Sequence, residues 1–292
     1  MFLVIALISF LTFNSTVAAD DAAINREADR FHRSLVYNNE GVPYYNYSVT
    51  GHHSVGLQGN PLAVATEALK LYKQFQSTSN ESAKKYFINN VNWLVNTNML
   101  KNNGSFSTYE YSFPWNIGDY VVEPYWRNAM ANGKALSPLF KAYQLTGNST
   151  YLDTAKNLLN SFFVDVKDGG VAYKTPNSGW WYEEYASRNS SKEPRVLNGM
   201  IHAILGINQY QKESNDTSAK MLFDLGILAL KRDLPKYEYN GTSLYDRLGL
   251  PANSFYKSLH VNQLKELYEL TDEPIFLHYY ERWNNYNLVS SN

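Results

Sequence analysis

Cysteine is absent from the 292 residues, which excludes disulfides, iron–sulfur clusters, thiolate zinc sites and a Cys nucleophile. Charge of one sign is not in excess either. Lys+Arg number 26 against Asp+Glu 27, a net charge of −1, so neither a nucleic-acid-binding basic surplus nor an acidic tail is present. Charged residues make up 18%, low for a disordered chain and ordinary for a compact globule. The N-terminal apolar run, Phe2 to Phe13, falls short of the roughly 20 residues that a ~30 Å bilayer requires. No HExxH, Walker or GxGxxG pattern occurs, and His52-His53 has no paired ligands at metal spacing. The sequence therefore implies no metal and no nucleotide cofactor. Aromatics are abundant instead, at 15%, with 24 Tyr, 14 Phe and 6 Trp. Tyr combines a flat apolar face with a hydroxyl, the chemistry that sugar-binding clefts use.

The apolar run is followed by Asn14-Ser15-Thr16 and Val17-Ala18-Ala19-Asp20, where small residues fit cleavage after Ala19. Residues 1–19 are expected to be a signal peptide, with a retained anchor as the alternative. Once it is cleaved, a secreted or extracytoplasmic protein without membrane insertion is expected. Asn-x-Ser/Thr sequons at Asn46, Asn80, Asn103, Asn148, Asn189, Asn215 and Asn240 add weak support for export.

From about residue 60 the chain repeats coarsely. Each unit is an amphipathic segment, a short polar turn and a second amphipathic segment. The spacing predicts helical hairpins over Pro61–Phe75 with Ser82–Asn96, Asn128–Leu145 with Thr150–Phe163, Val196–Gln211 with Ser218–Leu234, and Leu259–Leu270 with Pro274–Trp283. Tyr72, Tyr143, Tyr210 and Tyr268 hold equivalent places, 71, 67 and 58 residues apart. That period exceeds the roughly 34–47 residues of tight helical solenoids. The surplus lies in Asn98–Tyr125, Asp165–Pro194 and Pro235–Lys257, rich in Gly, Pro, Trp and Tyr. These read as loops or β-hairpins, for example Gly170–Tyr173 turning through Pro176-Asn177-Ser178-Gly179 into Trp180–Tyr185. About four hairpins with long loops at one rim predict an α/α toroid, an incomplete α/α barrel, with the loops at its cleft. Residues 20–292 then form a single domain. An open helical scaffold that binds a protein is the alternative.

The loops carry the chemistry. Trp180-Trp181-Tyr182-Glu183-Glu184-Tyr185 places two carboxylates among four aromatics. A carboxylate so placed loses solvation, and its pKa rises toward the range of general acid–base work. In a strand, Glu183 and Glu184 would face opposite sides. The bland reading is a solvated Glu on a β-hairpin. Leu244-Tyr245-Asp246-Arg247 follows, then Phe255 to Gln263, in which Tyr256 precedes the fourth hairpin and His260 and Gln263 lie one turn apart on its first helix. A Tyr hydroxyl, with an ordinary pKa of about 10, is a poor base unless a cation such as Arg247 or Lys257 stabilises the phenolate. His260 alone reads as a hydrogen-bonded core histidine. Glu123-Pro124-Tyr125-Trp126-Arg127-Asn128 ends on a residue suited to cap the next helix.

WYEEY (Trp181–Tyr185), LNG (Leu197–Gly199), LYD (Leu244–Asp246), Y-x-x-x-H-V-N-Q-L (Tyr256–Leu264) and EP-x-W with A-M-A-x-G (Glu123–Gly133) occur in one order along the chain. Together they resemble the C-terminal catalytic domain of the D-glucuronyl C5-epimerase family, of the heparan or heparosan type, from about Asn60 to Trp283. The resemblance implies an α/α toroid and an isomerase that needs no cofactor. It would convert D-glucuronate to L-iduronate within a polysaccharide by removing and returning the C5 proton. It implies Glu184 and Tyr256 as the acid/base pair. Tyr185 and Tyr245 would donate to the uronate carboxylate or assist proton transfer. His260, Gln263, Asn198, Trp126 and Trp181 would line the cleft. The family's carboxylate-clamping Arg stands three residues after the counterpart of Tyr245. Here Leu248 holds that place and Arg247 precedes it, so Arg247, Arg127 and Arg195 are the candidate clamps.

The family also carries N-terminal β-rich domains that help build the cleft and a homodimer, which the about 40 residues here cannot replace. A near-zero net charge fits a uronate glycan of low charge better than a heavily sulfated one. Three other activities use similar parts. A uronate lyase begins with the same proton abstraction. A glycoside hydrolase needs a second carboxylate, such as Asp246, opposite Glu184 at roughly 5–9 Å. A non-catalytic glycan-binding scaffold needs the aromatics without Glu184.

Overall fold

A computed structural model describes residues 34–50, 54–188 and 192–289. The expected signal peptide 1–19, His52-His53 and the sequon at Asn189 lie outside them. Four helical hairpins follow one another: α1 (Pro61–Thr78) with α2 (Glu81–Asn96), α3 (Ala129–Thr146) with α4 (Ser149–Asn160), α5 (Leu197–Ser214) with α6 (Thr217–Asp233), and α7 (Ser254–Thr271) with α8 (Pro274–Val289). The turns explain themselves chemically. Ser79, Gly147, Asn215 and Asp272 close the first helix of each hairpin in the left-handed region, which short polar residues and Gly tolerate best. The next residue starts the second helix, with the side chains of Asn80, Asn148 and Asp216 accepting from first-turn N–H groups.

The first helices pack side by side, α1 on α3, α3 on α5 and α5 on α7, and form the inner layer, while their partners form the outer one. The α3–α5 contact is a backbone approach. A Cβ at Gly133 would lie 3.0 Å from the Ala203 carbonyl oxygen, and one at Gly206 would lie 2.6 Å from Gly133. Among the described residues no comparable packing joins α7 back to α1. The layer is an arc rather than a closed ring.

Because inner and outer helices alternate in direction, every link from an outer helix to the next inner one falls at the same rim, where the inner helices begin. There the chain pairs antiparallel strands: β1 (Leu35–Tyr37), β2 (Pro43–Asn46) and β3 (Leu57–Gly59) before α1; β4 (Leu100–Asn102), β5 (Ser107–Tyr111), β6 (Trp115–Ile117), β7 (Tyr120–Val122) and β8 (Trp126–Arg127) before α3; β9 (Ala172–Lys174) with β10 (Trp180–Tyr182) before α5; β11 (Glu238–Tyr239) with β12 (Thr242–Ser243) before α7. The predicted hairpin is present, with Tyr182 opposite Ala172 and Trp180 opposite Lys174.

Two expectations need correction. The strand ends at Tyr182, so Glu183 and Glu184 lie beyond it and do not face opposite sides of a strand; Glu184 and Tyr185 form a turn. Helix α7 begins at Ser254, before the predicted Leu259, because Asn253 caps it by accepting from the Tyr256 N–H at 3.0 Å. Tyr256 therefore stands on the first turn of the helix.

Candidate active site

The turn after β10 is fixed from three sides. Glu183 N–H donates to Val171 O at 2.8 Å, Ala129 N–H to Glu183 O at 3.1 Å, and Arg127 and Ala186 exchange backbone bonds at 2.9 Å. The Glu183 carboxylate accepts from the backbone N–H of Tyr185 at 3.2 Å and of Arg195 at 2.9 Å. It ties the turn to the segment entering α5. Arg195 holds φ of +47° there, and the Tyr237 hydroxyl donates to its carbonyl.

Glu184 has a different situation. It is fully buried, and its Oε2 has no hydrogen-bond partner among the described residues. The oxygen lies against the first turn of α5, where a Cβ on Gly199 would come within 2.2 Å of it. Only glycine leaves room for that carboxyl. Val196, at the N-cap of α5, makes no side-chain cap, so the positive end of this helix is left to face it. Burial raises the Glu184 pKa to about 8, with the Glu183 charge adding and the Tyr185 hydroxyl opposing. Burial likewise raises Glu183 to about 7, opposed by its two backbone donors.

Tyr185, Tyr245 and Tyr256 gather beside Glu184. The Tyr185 and Tyr245 hydroxyls are 3.4 Å apart, and the Tyr245 and Tyr256 rings are 4.6 Å apart. The Tyr185 hydroxyl also reaches the Glu184 carboxyl. Burial and the Glu184 charge hold Tyr185 and Tyr245 well above the ordinary phenol pKa. Both are neutral donors at physiological pH, and the carboxyl is the group poised to titrate. Trp126 backs the cluster at 5.2 Å from the Tyr185 ring and donates its Nε1–H to Phe113 O at 2.8 Å.

Around this core stand amides and an imidazole with spare hydrogen-bonding capacity. Both side-chain polar atoms of Asn198, Oε1 of Gln263 and Nε2 of His260 are buried without partners among the described residues. Gln263 donates to Asn198 O at 3.2 Å. His260 shares a 2.8 Å hydrogen bond between Nδ1 and the Ser243 hydroxyl, and burial lowers its pKa to about 3. The imidazole is neutral, able to orient a hydroxyl.

Not every sequence candidate joins the cluster. Arg127, next to Trp126 on β8, points the other way and donates to Val166 O at 2.9 Å, buried in the scaffold. Trp181 stacks on Tyr237 at 5.8 Å, and the Arg247 guanidinium covers the Tyr237 ring at 5.7 Å. Arg195 pairs with Glu193 at 2.7 Å and Asp233 at 3.6 Å. No candidate clamp therefore reaches the tyrosine cluster in this arrangement. Asp246 Oδ1 accepts from Leu248 and Leu250 N–H at 2.9 and 3.1 Å and is spent on its own loop.

Sequence reasoning missed Tyr111 and Tyr120. Their hydroxyls feel the Glu184 charge and are buried without partners among the described residues. Tyr111 stacks on Trp126 at 4.1 Å. Among the described residues no group of three His, Asp or Glu side chains is arranged to hold a metal ion, and no helix is long and apolar enough to cross a membrane.

A buried carboxyl–tyrosine cluster at the rim of an arc of helical hairpins is set in the layout of an α/α toroid. Solved structures share that fold: cellobiose 2-epimerase from Bacillus thermoamylovorans (12% identity, TM-score 0.58, covering 91% of this chain and 70% of that one) and D-mannose isomerase (9%, TM-score 0.53, 92% and 71%). The chain belongs to the D-glucuronyl C5-epimerase family through that family's C-terminus, whose model matches residues 101–285. An uncharacterized protein of Methanocaldococcus jannaschii is 31% identical over 267 residues, covering 86% of this chain and 85% of that one. The D-glucuronyl C5-epimerase of Caenorhabditis elegans is 29% identical over 185 residues, covering 57% of this chain; the matched part is 29% of the nematode enzyme's length.

Proposed function

We propose that the chain inverts C5 of D-glucuronate within an extracytoplasmic polysaccharide of low charge. The observation that carries this reading is Glu184, raised to about 8 by burial and linked through the Tyr185 hydroxyl to Tyr245 and Tyr256. A carboxyl with that pKa exchanges protons near neutrality, which removal of a proton α to a carboxylate requires. The Tyr185 hydroxyl bonds to the Glu184 carboxyl, and in this reading the phenol relays to the ionised carboxylate. Tyr185 oxygen takes the C5 proton as its own proton passes to Glu184. An enolate-like intermediate forms, and Tyr256 delivers a proton to the opposite face of C5. Tyr245 donates to the charge building on the substrate carboxylate.

The helix ends support the same assignment. Asn60, Asn128 and Asn253 cap α1, α3 and α7, so with uncapped α5 four positive helix ends converge on the rim. They favour a bound carboxylate and its enolate. Asn198, His260 and Gln263 supply hydrogen bonds to sugar hydroxyls. A hydrolase is disfavoured because Asp246 is held in its own loop.

The test is product analysis. An unsulfated glucuronan-type polymer incubated with the protein should show iduronate-type proton NMR signals at unchanged chain length. Growing ultraviolet absorbance from unsaturated uronate, with falling polymer size, would mean that the same residues run a lyase.

A further inference from the structure

The residues placed at the chemistry are closed off from solvent. Glu184 is 1% exposed, Tyr185 3%, Tyr245 2% and Tyr256 4%. A uronate whose C5 exchanges protons with two phenols needs both within about 3–3.5 Å, so the cover over the cluster has to give way. The β6–β7 hairpin lies across it. At its root Trp115 packs on Trp126, with ring centroids 6.4 Å apart, and Trp126 in turn packs on Tyr185 at 5.2 Å. At its tip a Cβ on Gly118 would meet Leu250 Cδ1 at 3.8 Å, and the Leu250 carbonyl accepts from the Tyr245 N–H at 2.7 Å. The hairpin thus reaches from the strand before α3 to the loop before α7. Helix α5 packs between those two helices, so the hairpin passes over its start, where Glu184 meets Gly199.

The two faces of the hairpin differ. Trp115 pairs with Val122 and Ile117 with Tyr120, which puts these four side chains on one face, and Asn116 with Val121 lies on the other. The first face is buried except for half-buried Tyr120, and the second is exposed. The Tyr120 hydroxyl is itself buried without a partner among the described residues, and it feels the charges of Glu183, Asp246 and Glu184. It hangs from the hairpin toward the site. Burial and those charges keep it protonated, a neutral donor. The attachment is light. Among the described residues β6 and β7 pair only with each other, and no backbone hydrogen bond joins residues 114–123 to the rest of the chain. A two-stranded ribbon so held opens at lower cost than the helices beside it. Pro114 and Pro124 bound it, and Tyr125, directly after, holds φ of +68°, a conformation that a bulky side chain adopts under strain.

We propose that the β6–β7 hairpin is a strap that lifts to admit an internal uronate of the glycan chain, and that Tyr120 is a further substrate-binding residue whose hydroxyl donates to the enclosed sugar once the strap recloses. This rests on the reading of the chain as acting on polymeric uronate. A hinged strap lets a polymer be laid into the site from the side, without threading from an end. Closure then keeps bulk water away while the C5 proton is absent.

The absence of cysteine makes the strap lockable. Gly118→Cys with Leu250→Cys, joined by oxidation or by a short bis-maleimide, should lose most turnover of an unsulfated glucuronan-type polymer, and reducing the disulfide should restore it. Hydrogen exchange on wild type gives an independent readout. Amides of residues 115–122 should exchange faster than those of α5, and should slow when a glucuronan oligosaccharide is bound. Tyr120→Phe, which removes only the hydroxyl, should raise KM about fivefold with kcat nearly unchanged. Full turnover in the locked protein, or strap amides as protected as those of α5, overturns the strap. An unaltered KM in Tyr120→Phe removes Tyr120 from binding. If the double variant binds the oligosaccharide when reduced and not when locked, yet leaves C5 uninverted, the strap stands and the epimerase reading falls. If the locked protein inverts C5 at the unlocked rate, the strap falls and the epimerase reading stands. Failure of wild type to bind any glucuronan oligosaccharide overturns both.

Discussion

The two ends of the inner helices differ in how their polar groups are used. At the turn end, three of the four links repeat one solution, a left-handed residue followed by an Asn or Asp whose side chain caps the next helix. At the rim, Glu184, Asn198, Gln263, His260, Tyr111 and Tyr120 keep buried polar atoms without partners among the described residues. Each such atom costs about 1–3 kcal/mol in a fold that gains nothing from it. The scaffold keeps a few such atoms too, Asn90 Oδ1 and Arg127 Nε among them, but around Glu184 they are gathered together, where on the proposed function substrate groups complete the hydrogen bonds.

Substitutions at the two ends should separate stability from activity. The largest effect is expected at the rim. Glu184→Gln and Tyr256→Phe should each lower turnover by on the order of 10²-fold or more, with thermal unfolding close to that of wild type. Wild-type turnover in either variant would remove that residue from the chemistry. Next comes Gly199→Ala, whose Cβ meets Glu184 Oε2 at 2.2 Å. Displacing the carboxyl should cost most of the activity, together with roughly 1–3 kcal/mol of stability from overpacking, as urea unfolding would show.

Glu183 sharpens the contrast within a single dipeptide. Its carboxylate holds two backbone N–H groups, so Glu183→Ala should cost about 1–3 kcal/mol. Glu183→Gln, which keeps an acceptor, should retain far more activity than Glu184→Gln. Equal losses from the two amides would mean that both carboxyls act in the chemistry.

Acidity offers a further check. Glu183 and Glu184 are raised to about 7 and about 8 in the fold, from 4.5. Between these values the unfolded chain has released protons that the folded chain keeps. Stability should therefore fall as pH rises from about 5 to about 8, by up to about 1.4 kcal/mol per pH unit for each group. Glu184→Gln should flatten the upper part of that slope in denaturant titrations at several pH values, and an unchanged slope would contradict the buried acid. At the turn end, Asn80→Ala should cost about 1 kcal/mol through the lost cap and leave turnover intact.

What can be read from sequence divides along the same line. The hairpins are legible because apolar periodicity and polar turns are local, and the predicted segments differ from the helices mostly at their ends. Apolar periodicity alone places Tyr256 before α7, since it does not register the cap that Asn253 provides. The partner choices of the arginines are not legible. Arg127 and Trp126 are neighbours in sequence, yet the backbone pairing of β8 sends one side chain to Val166 O and the other to Tyr185. Gly199 reads as part of a motif, and only its distance from Glu184 reveals the space that it provides. Tyr111 and Tyr120 come to Glu184 through long-range packing that no local pattern encodes.

The central claim is that Glu184, working through Tyr185, exchanges the C5 proton of a polymeric uronate. Incubation of an unsulfated glucuronan-type polymer in deuterated water, followed by proton NMR, reads that exchange directly. Wild type should place deuterium at C5 of internal uronates, and Glu184→Gln should slow its incorporation by on the order of 10²-fold or more. Deuterium absent from C5 with folded wild-type protein, or entering equally fast with Glu184→Gln, would contradict the account.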